Sequence, residues 1–256
     1  MARPRFFVQE LPGSGSVQLG KEESKHAKSV LRLKRDDVGI LFDGQGGEAQ
    51  CHIVECVGST TVVEIIERLD TDRELPFELN LYVALPKGDR QRTLVDGLAE
   101  LGVTSLTPLI SERSVALPNE KTTLRLQRAV VETSKQCGRN RLMRIGQPMN
   151  VAELAACSSL DGNRYLAHPI PGQTPRDCWE QRCNDAAGND AAGNDAPIHV
   201  AIGPEGGFTD SEVQQLQDGH WQVVHLGARL LRVEIAALSL AAFFSMQNPS
   251  MPSRED

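Results

Sequence analysis

The 256-residue sequence predicts an α/β protein in two parts, a small β-barrel followed by a mainly parallel sheet covered by helices. Three observations predict it. Up to about Asp72, short β-type segments are separated by turn residues; beyond the polar stretch Asp70 to Pro76, strand and helix patterns alternate. The longest apolar stretch, Ile235 to Phe244, is about half the ~20 residues that a membrane crossing needs, so it reads as a buried helix. The expected domains are residues 1–72 and 77–256.

In the first part the expected strands are Arg5 to Val8, Val17 to Leu19, Gly39 to Phe42, Ala49 to Val57 and Thr61 to Ile66. Asp43-Gly44-Gln45-Gly46-Gly47 and Gly58-Ser59 supply turns between them. One helix, Lys21 to Leu31, interrupts the strands and brings His26, Lys28 and Arg32 close together.

In the second part Phe77, Leu79, Leu81, Val83 and Leu85 alternate as one strand. The helix Arg90 to Leu101 follows, with Leu94, Leu98 and Leu101 on one face and Gly102 as its stop. Val103 to Leu109 and Ser114 to Leu117 read as extended, and Thr122 to Gly138 as a helix. Residues 184 to 196, NDAAGNDAAGNDA, contain nothing larger than Asn or Asp to bury and read as a disordered surface loop.

The hydrophobic fraction of 40% and the charged fraction of 24% are those of a globular chain, which sets aside the disordered and membrane classes. The opening MARPRFFVQE lacks the apolar core of a secretory signal, so the cytoplasm is the expected compartment. Six cysteines without CxxC spacing read as free thiols, and no histidine has ligand-like neighbours, so no metal is expected.

Net charge is −7, yet it is segregated. Residues 1–35 hold eight Lys/Arg against three Glu, and residues 121–144 hold seven against one. An acidic protein with two basic runs can bind phosphates locally, because salt screens the total charge over roughly 8 Å. The plain alternative is that each run is a solvated face.

The chemistry concentrates late in the chain. An apolar strand, Ile198 to Ile202, leads into Gly203-Pro204-Glu205-Gly206-Gly207, and Thr209-Asp210-Ser211-Glu212 follows as a capping box that starts a helix. A glycine-rich turn between a strand and a helix lies where α/β sheets bind ligands. It lacks both GxGxxG and GxxxxGK[ST], so physics alone does not choose the ligand. A second such unit runs from Val223 to Leu226 through Gly227 into a nearly all-apolar helix ending near Met246, which must be covered on most sides.

In these residues the sequence resembles the bacterial 16S ribosomal RNA (uracil-N3)-methyltransferase family of knotted SPOUT methyltransferases. The motifs that carry the resemblance are RFFV at Arg5, HAKSVLRLKRDD at His26, FDGQG at Phe42, LPKGDR at Leu85, ELGV at Glu100 and PLISERS at Pro108. KQCGRN at Lys135, IGPEGGFTDSEV at Ile202 and LGARLLRVEIAAL at Leu226 complete the ordered set, which covers most of the chain. The chain departs from the family pattern at Gly97, Lys135, Val233 and Ile235.

The resemblance implies a PUA-like RNA-binding barrel, a C-terminal domain with a deep trefoil knot, and a homodimer. It also implies that S-adenosylmethionine is held by Ala167, His168 and Pro169, by Ile202, Gly203, Pro204, Glu205, Gly206 and Gly207, and by Leu226, Gly227, Leu230, Leu231 and Arg232. The implied RNA contacts are Arg3, Arg5, His26, Lys28, Arg32, Lys34, Arg139 and Asn140, on 16S ribosomal RNA in the 30S subunit.

Methylating uracil N3 requires that its proton be accepted or the developing oxygen charge be stabilised. Glu205 and Glu234 are the candidate carboxylates, and Arg139, Arg229 and Arg232 the candidate cations. The expected set is Arg232 and Arg139 for charge, with Glu205 as base. Two other classes remain open: a catalytically inactive RNA-binding or ribosome-assembly protein on the same fold, and a nucleotide-binding oxidoreductase on an ordinary doubly wound sheet.

Overall fold

The computed structural model describes residues 3–58, 60–188 and 195–247, without the side chains of 185–188. It divides into two compact units, Met1–Glu74 with Val131–Leu142, and Leu75–Val130 with Met143–Asp256.

The first unit is built on five strands: β1 (Arg5–Phe7), β2 (Gly15–Gln18), β3 (Val38–Phe42), β4 (Glu48–Val57) and β5 (Thr60–Leu69). Their order is β1-β3-β4-β5-β2, with β1 parallel to β3 and the other pairs antiparallel. Phe6, Leu41, Ile53 and Val63 meet in its core. Two register shifts in β4, at Gln50/Cys51 and Ile53/Glu55, bend this long strand. The expected single helix is a short α1 (Lys21–Lys25) running into a π-helical turn, His26–Val30.

Val131–Leu142, within the expected second domain 77–256, belongs instead to this unit. Buried charge gives the reason. Lys135 Nζ reaches Glu23 Oε1 at 2.8 Å, Arg139 Nε reaches Glu74 Oε1 at 2.8 Å, and Asn140 donates to the carbonyls of Gly46 and Thr71. A charge removed from water needs a partner, and these partners lie in the first 74 residues.

The second unit contains β6 (Leu79–Val83), β7 (Ser105–Ile110), β8 (Arg144–Ile145), β9 (Met149–Asn150), β10 (Asn163–Ala167), β11 (Ile198–Ile202) and β12 (Gln222–Val224). The order is β12-β10-β11-β6-β7-β8, with β9 also on β7, and every pairing is parallel. β6 and β11 are buried at every residue, as strands covered on both faces must be. The helices are α2 (Arg90–Glu100), α3 (Glu120–Cys137, shared between the units), α4 (Val151–Ala155), α5 (Pro175–Gly188), α6 (Asp210–Asp218) and α7 (Val233–Ser245). α2 packs on α7 through Gly97, where a Cβ would stand 2.4 Å from Leu238 Cδ2.

Two expectations are corrected. Ser114 to Leu117, expected as an extended piece, joins no sheet: a turn at Glu112 and Arg113 and a bend at Val115 lead toward α3. Residues 184–188 of the expected loop are the end of α5, while 189–194 lie outside the described residues. Among the described residues no helix is long and apolar enough to cross a membrane.

Candidate functional site

Three segments of the second unit converge at the carboxyl ends of β10, β11 and β12. β10 delivers Ala167, His168 and Pro169; β11 delivers Ile202 and the glycine-rich turn; β12 delivers Leu226 and Gly227. Together they line a cleft of ≈ 370 Å³. Every residue expected to hold a cofactor lines it except Arg232, which caps the start of α7 next door.

The glycine-rich turn has its shape for local reasons. Gly207 adopts φ +69, a left-handed conformation that favours glycine, and its N–H donates to the Pro204 carbonyl at 2.8 Å. A Cβ on Gly203 would stand 3.0 Å from the Phe208 ring. The capping box then begins α6: Thr209 accepts from the Glu212 N–H, and Glu212 Oε2 accepts from the Thr209 N–H at 2.8 Å.

Charge surrounds the turn. Arg90 on α2 places Nη2 2.9 Å from Glu205 Oε1 and Nη1 3.5 Å from Glu234 Oε2, so one guanidinium spans the two carboxylates considered for the base. Glu234 is buried, whereas Glu205 is about one-third exposed and faces the cleft. Arg229 also lines the cleft. Arg232 is exposed and makes no capping bond with its side chain.

His168 contributes more than backbone. Its N–H donates to Val224 O at 3.1 Å, while its Nδ1 is buried with no hydrogen-bond partner among the described residues. Burial pushes its pKa below the ordinary histidine value and nearby Arg113 pushes the same way, against the attraction of Asp210. A neutral ring with a buried, unsatisfied nitrogen beside a cleft is suited to a polar ligand atom.

Arg113, Phe208, Asp210, Val224 and Ala236 also line the cleft and are absent from the expected site residues, as is Val233, noted only as a departure from the family pattern. Arg113 lay inside the PLISERS motif, and Ser111 and Ser114 around it were a readable turn signal. Asn150 and Glu153, a second capping box at α4, were likewise legible and missed.

The residues expected to touch RNA divide into two groups in the first unit. Lys28, Arg32 and Lys34 are exposed and His26 is half-buried. Lys28 Nζ bonds Gly58 O at 2.9 Å, and Arg3 bonds Gln50. Arg5 is instead bound by buried Glu48 at 3.0 Å, and Arg139 and Asn140 are nearly sealed from solvent among the partners given above. Burial would raise the Glu48 pKa, but hydrogen bonds from Arg5 and Arg73 and their charges outweigh it and hold it low.

Comparisons with known proteins agree with this geometry. Residues 73–245 match the RNA methyltransferase domain family, and residues 19–56 match the RNA methyltransferase PUA domain. A ribosomal RNA small subunit methyltransferase E from Synechocystis sp. is 28% identical over 223 residues, 86% of this chain and 70% of the relative. The solved ribosomal RNA small subunit methyltransferase E from Neisseria gonorrhoeae, bound to S-adenosylmethionine, superposes with a TM-score of 0.83 at 27% identity, covering 96% of this chain and 98% of that one. A methyltransferase from Legionella pneumophila, also solved with S-adenosylmethionine, gives a TM-score of 0.83 at 26% identity over the same shares. This removes the oxidoreductase alternative. With the family match spanning both the parallel sheet and its cleft, the chain belongs to the RNA methyltransferase family.

Proposed function

We propose that this protein methylates N3 of a uridine in the 16S ribosomal RNA of the small subunit, with S-adenosylmethionine as donor. The observation that carries the reading is the convergence of segments 167–169, 202–207 and 226–231 on one cleft of ≈ 370 Å³, within the size range of small-molecule sites. The residues fit that donor. Gly227, at φ +92, would point a Cβ into open space, and His168 Nδ1 has no hydrogen-bond partner among the described residues. When bound, the donor supplies a methyl group on a sulfonium, open to direct displacement.

The chain's own work is alignment and proton handling. Glu205, at the cleft wall, accepts the N3 proton, and Arg90 orients its carboxylate. Arg229 and Arg232 stabilise charge on the uracil oxygens, helped by the N-terminus of α7. Arg139 leaves this set, because Glu74 already holds its guanidinium.

RNA contacts then fall to Arg3, His26, Lys28, Arg32 and Lys34, while Arg5 and Asn140 support the fold around them. The order β1-β3-β4-β5-β2 favours a PUA-like barrel. A trefoil knot is favoured by bonds on both sides of β12: β10 pairs with it, and Gln173 exchanges bonds with Val223 and His225 at 3.0 Å each. A homodimer would cover Leu230, Ile235 and Met246, which are 86%, 46% and 75% exposed. A 30S substrate places the reaction in the cytoplasm.

The test incubates the protein with labelled S-adenosylmethionine and 30S subunits from a strain lacking the modification, then digests the RNA to nucleosides. Label in 3-methyluridine is expected, reduced ~100-fold or more by Glu205→Gln. Cofactor binding with no label in uridine would leave the inactive RNA-binding protein as the correct reading.

A further inference from the structure

We propose that Arg113 is a positioning residue for methyl transfer, holding the glycine-rich turn in the shape that receives the cofactor. The inference rests on the function proposed above and assigns a role to the turn that follows β7.

That turn is locked within itself. The Ser114 N–H donates to Ser111 O at 3.0 Å, the Ser111 N–H donates to Ser114 Oγ at 2.9 Å, and the two hydroxyl oxygens are 3.2 Å apart. It is also fastened to the start of α6, because the Glu112 N–H donates to Glu212 Oε1 at 2.8 Å, the carboxylate that closes the capping box. Arg113 therefore projects from a base with little freedom.

From this base Arg113 Nη1 donates to the Gly206 carbonyl at 2.8 Å. Its stem lies along the same residue: a Cβ on Gly206 would stand 3.3 Å from Arg113 Cδ and 3.4 Å from its Cβ. The Gly206 carbonyl and the Gly207 N–H belong to one planar peptide. Pro204 O takes the N–H of that peptide at 2.8 Å while Arg113 takes its carbonyl, so both ends of the plane are held. Two of the turn's three glycines flank this peptide, and each would otherwise sample both signs of φ.

Fixing a backbone residue costs conformational entropy. A turn ordered beforehand removes that cost from ligand binding. Arg113 thus acts through Gly206 on cofactor affinity, and the displacement step itself does not require it. Because Arg113 is exposed, its removal leaves the core intact.

The experiment measures S-adenosylmethionine binding by calorimetry for the wild type, Arg113→Ala and Arg113→Lys, with steady-state kinetics on 30S subunits and thermal unfolding of each. Arg113→Ala is expected to weaken cofactor binding and raise its KM about 10-fold, with kcat and the KM for RNA within about twofold of wild type. Arg113→Lys, which keeps one donor, recovers most of the affinity. Unchanged cofactor affinity in Arg113→Ala overturns the proposal, as does a raised KM for RNA alone, which would make Arg113 a phosphate contact. A wild type that binds no S-adenosylmethionine overturns the proposed function itself, and this inference with it.

Discussion

Arg90 Nη2 lies 2.9 Å from Glu205 Oε1, and the same guanidinium reaches Glu234 at 3.5 Å. One cation thus ties the glycine-rich turn to the first turn of α7, two walls of the cleft. Removing one partner of a buried ion pair leaves the other charge uncompensated. Arg90→Ala should lower stability by about 1–3 kcal/mol in denaturant unfolding, because Glu234 is buried, and should weaken cofactor binding as well. Unfolding and binding curves that both match wild type would show that the bridge holds nothing.

Arg32 and Arg139 should behave in opposite ways. Arg32 is exposed and adopts φ +54, a left-handed conformation in which a side chain is strained. Arg32→Gly is expected to gain about 0.5–1 kcal/mol of stability while weakening RNA binding and lowering its salt slope by about one. Arg139→Ala is expected to lose roughly 3 kcal/mol, since Glu74 would be left without its partner. Filter binding at several salt concentrations, beside thermal unfolding, separates the two.

Acid should destabilise the second unit through His199. Its Nε2 lies 2.8 Å from the Asp161 carbonyl and its Nδ1 lies 3.3 Å from the Tyr82 hydroxyl, so Nε2–H donates and Nδ1 accepts in the neutral ring. Burial pushes its pKa below 6.5, against the Asp161 carbonyl, which favours the charged form. In the window below 6.5 the unfolded chain binds a proton that the folded chain refuses, so stability rises with pH there and levels off above it. His168 adds in the same direction. Unfolding free energies between pH 5 and 8 should show this slope, and His199→Gln should flatten part of it.

Gly162 should tolerate no side chain. It adopts φ +97, and a Cβ there would stand 2.1 Å from the Pro197 carbonyl oxygen, a backbone atom that cannot turn aside. Gly162→Ala disturbs the start of the β10 and β11 pairing, at Asn163 and Ile198, and is expected to cost about 2–4 kcal/mol. A denaturation midpoint equal to wild type would show that the strand ends can move apart.

Local patterns carried much of the fold. The i, i+4 spacing of Leu94 and Leu98 marked α2, and both are fully buried; Thr209 and Glu212 marked the start of α6, and both halves of the box form. Ser114 to Leu117 reads as extended from the sequence, yet it joins no sheet, and Val115 and Leu117 are 53% and 69% exposed. Apolar spacing reports burial only when another element arrives to bury it.

The sequence by itself determined the strand-turn-helix unit at Ile202 to Glu212 and the family, since these depend on local spacing and on ordered motifs. Only the tertiary structure decided which charges are free. Arg32 and Arg139 look alike, each in a basic run, but one is exposed and the other is enclosed with Glu74, a residue 65 positions away. It likewise revealed Arg90 between Glu205 and Glu234, and Arg113 against Gly206. The reason is electrostatic: what an ionisable side chain does depends on the partner and the solvent within a few ångströms of it, and the folding of distant segments supplies both.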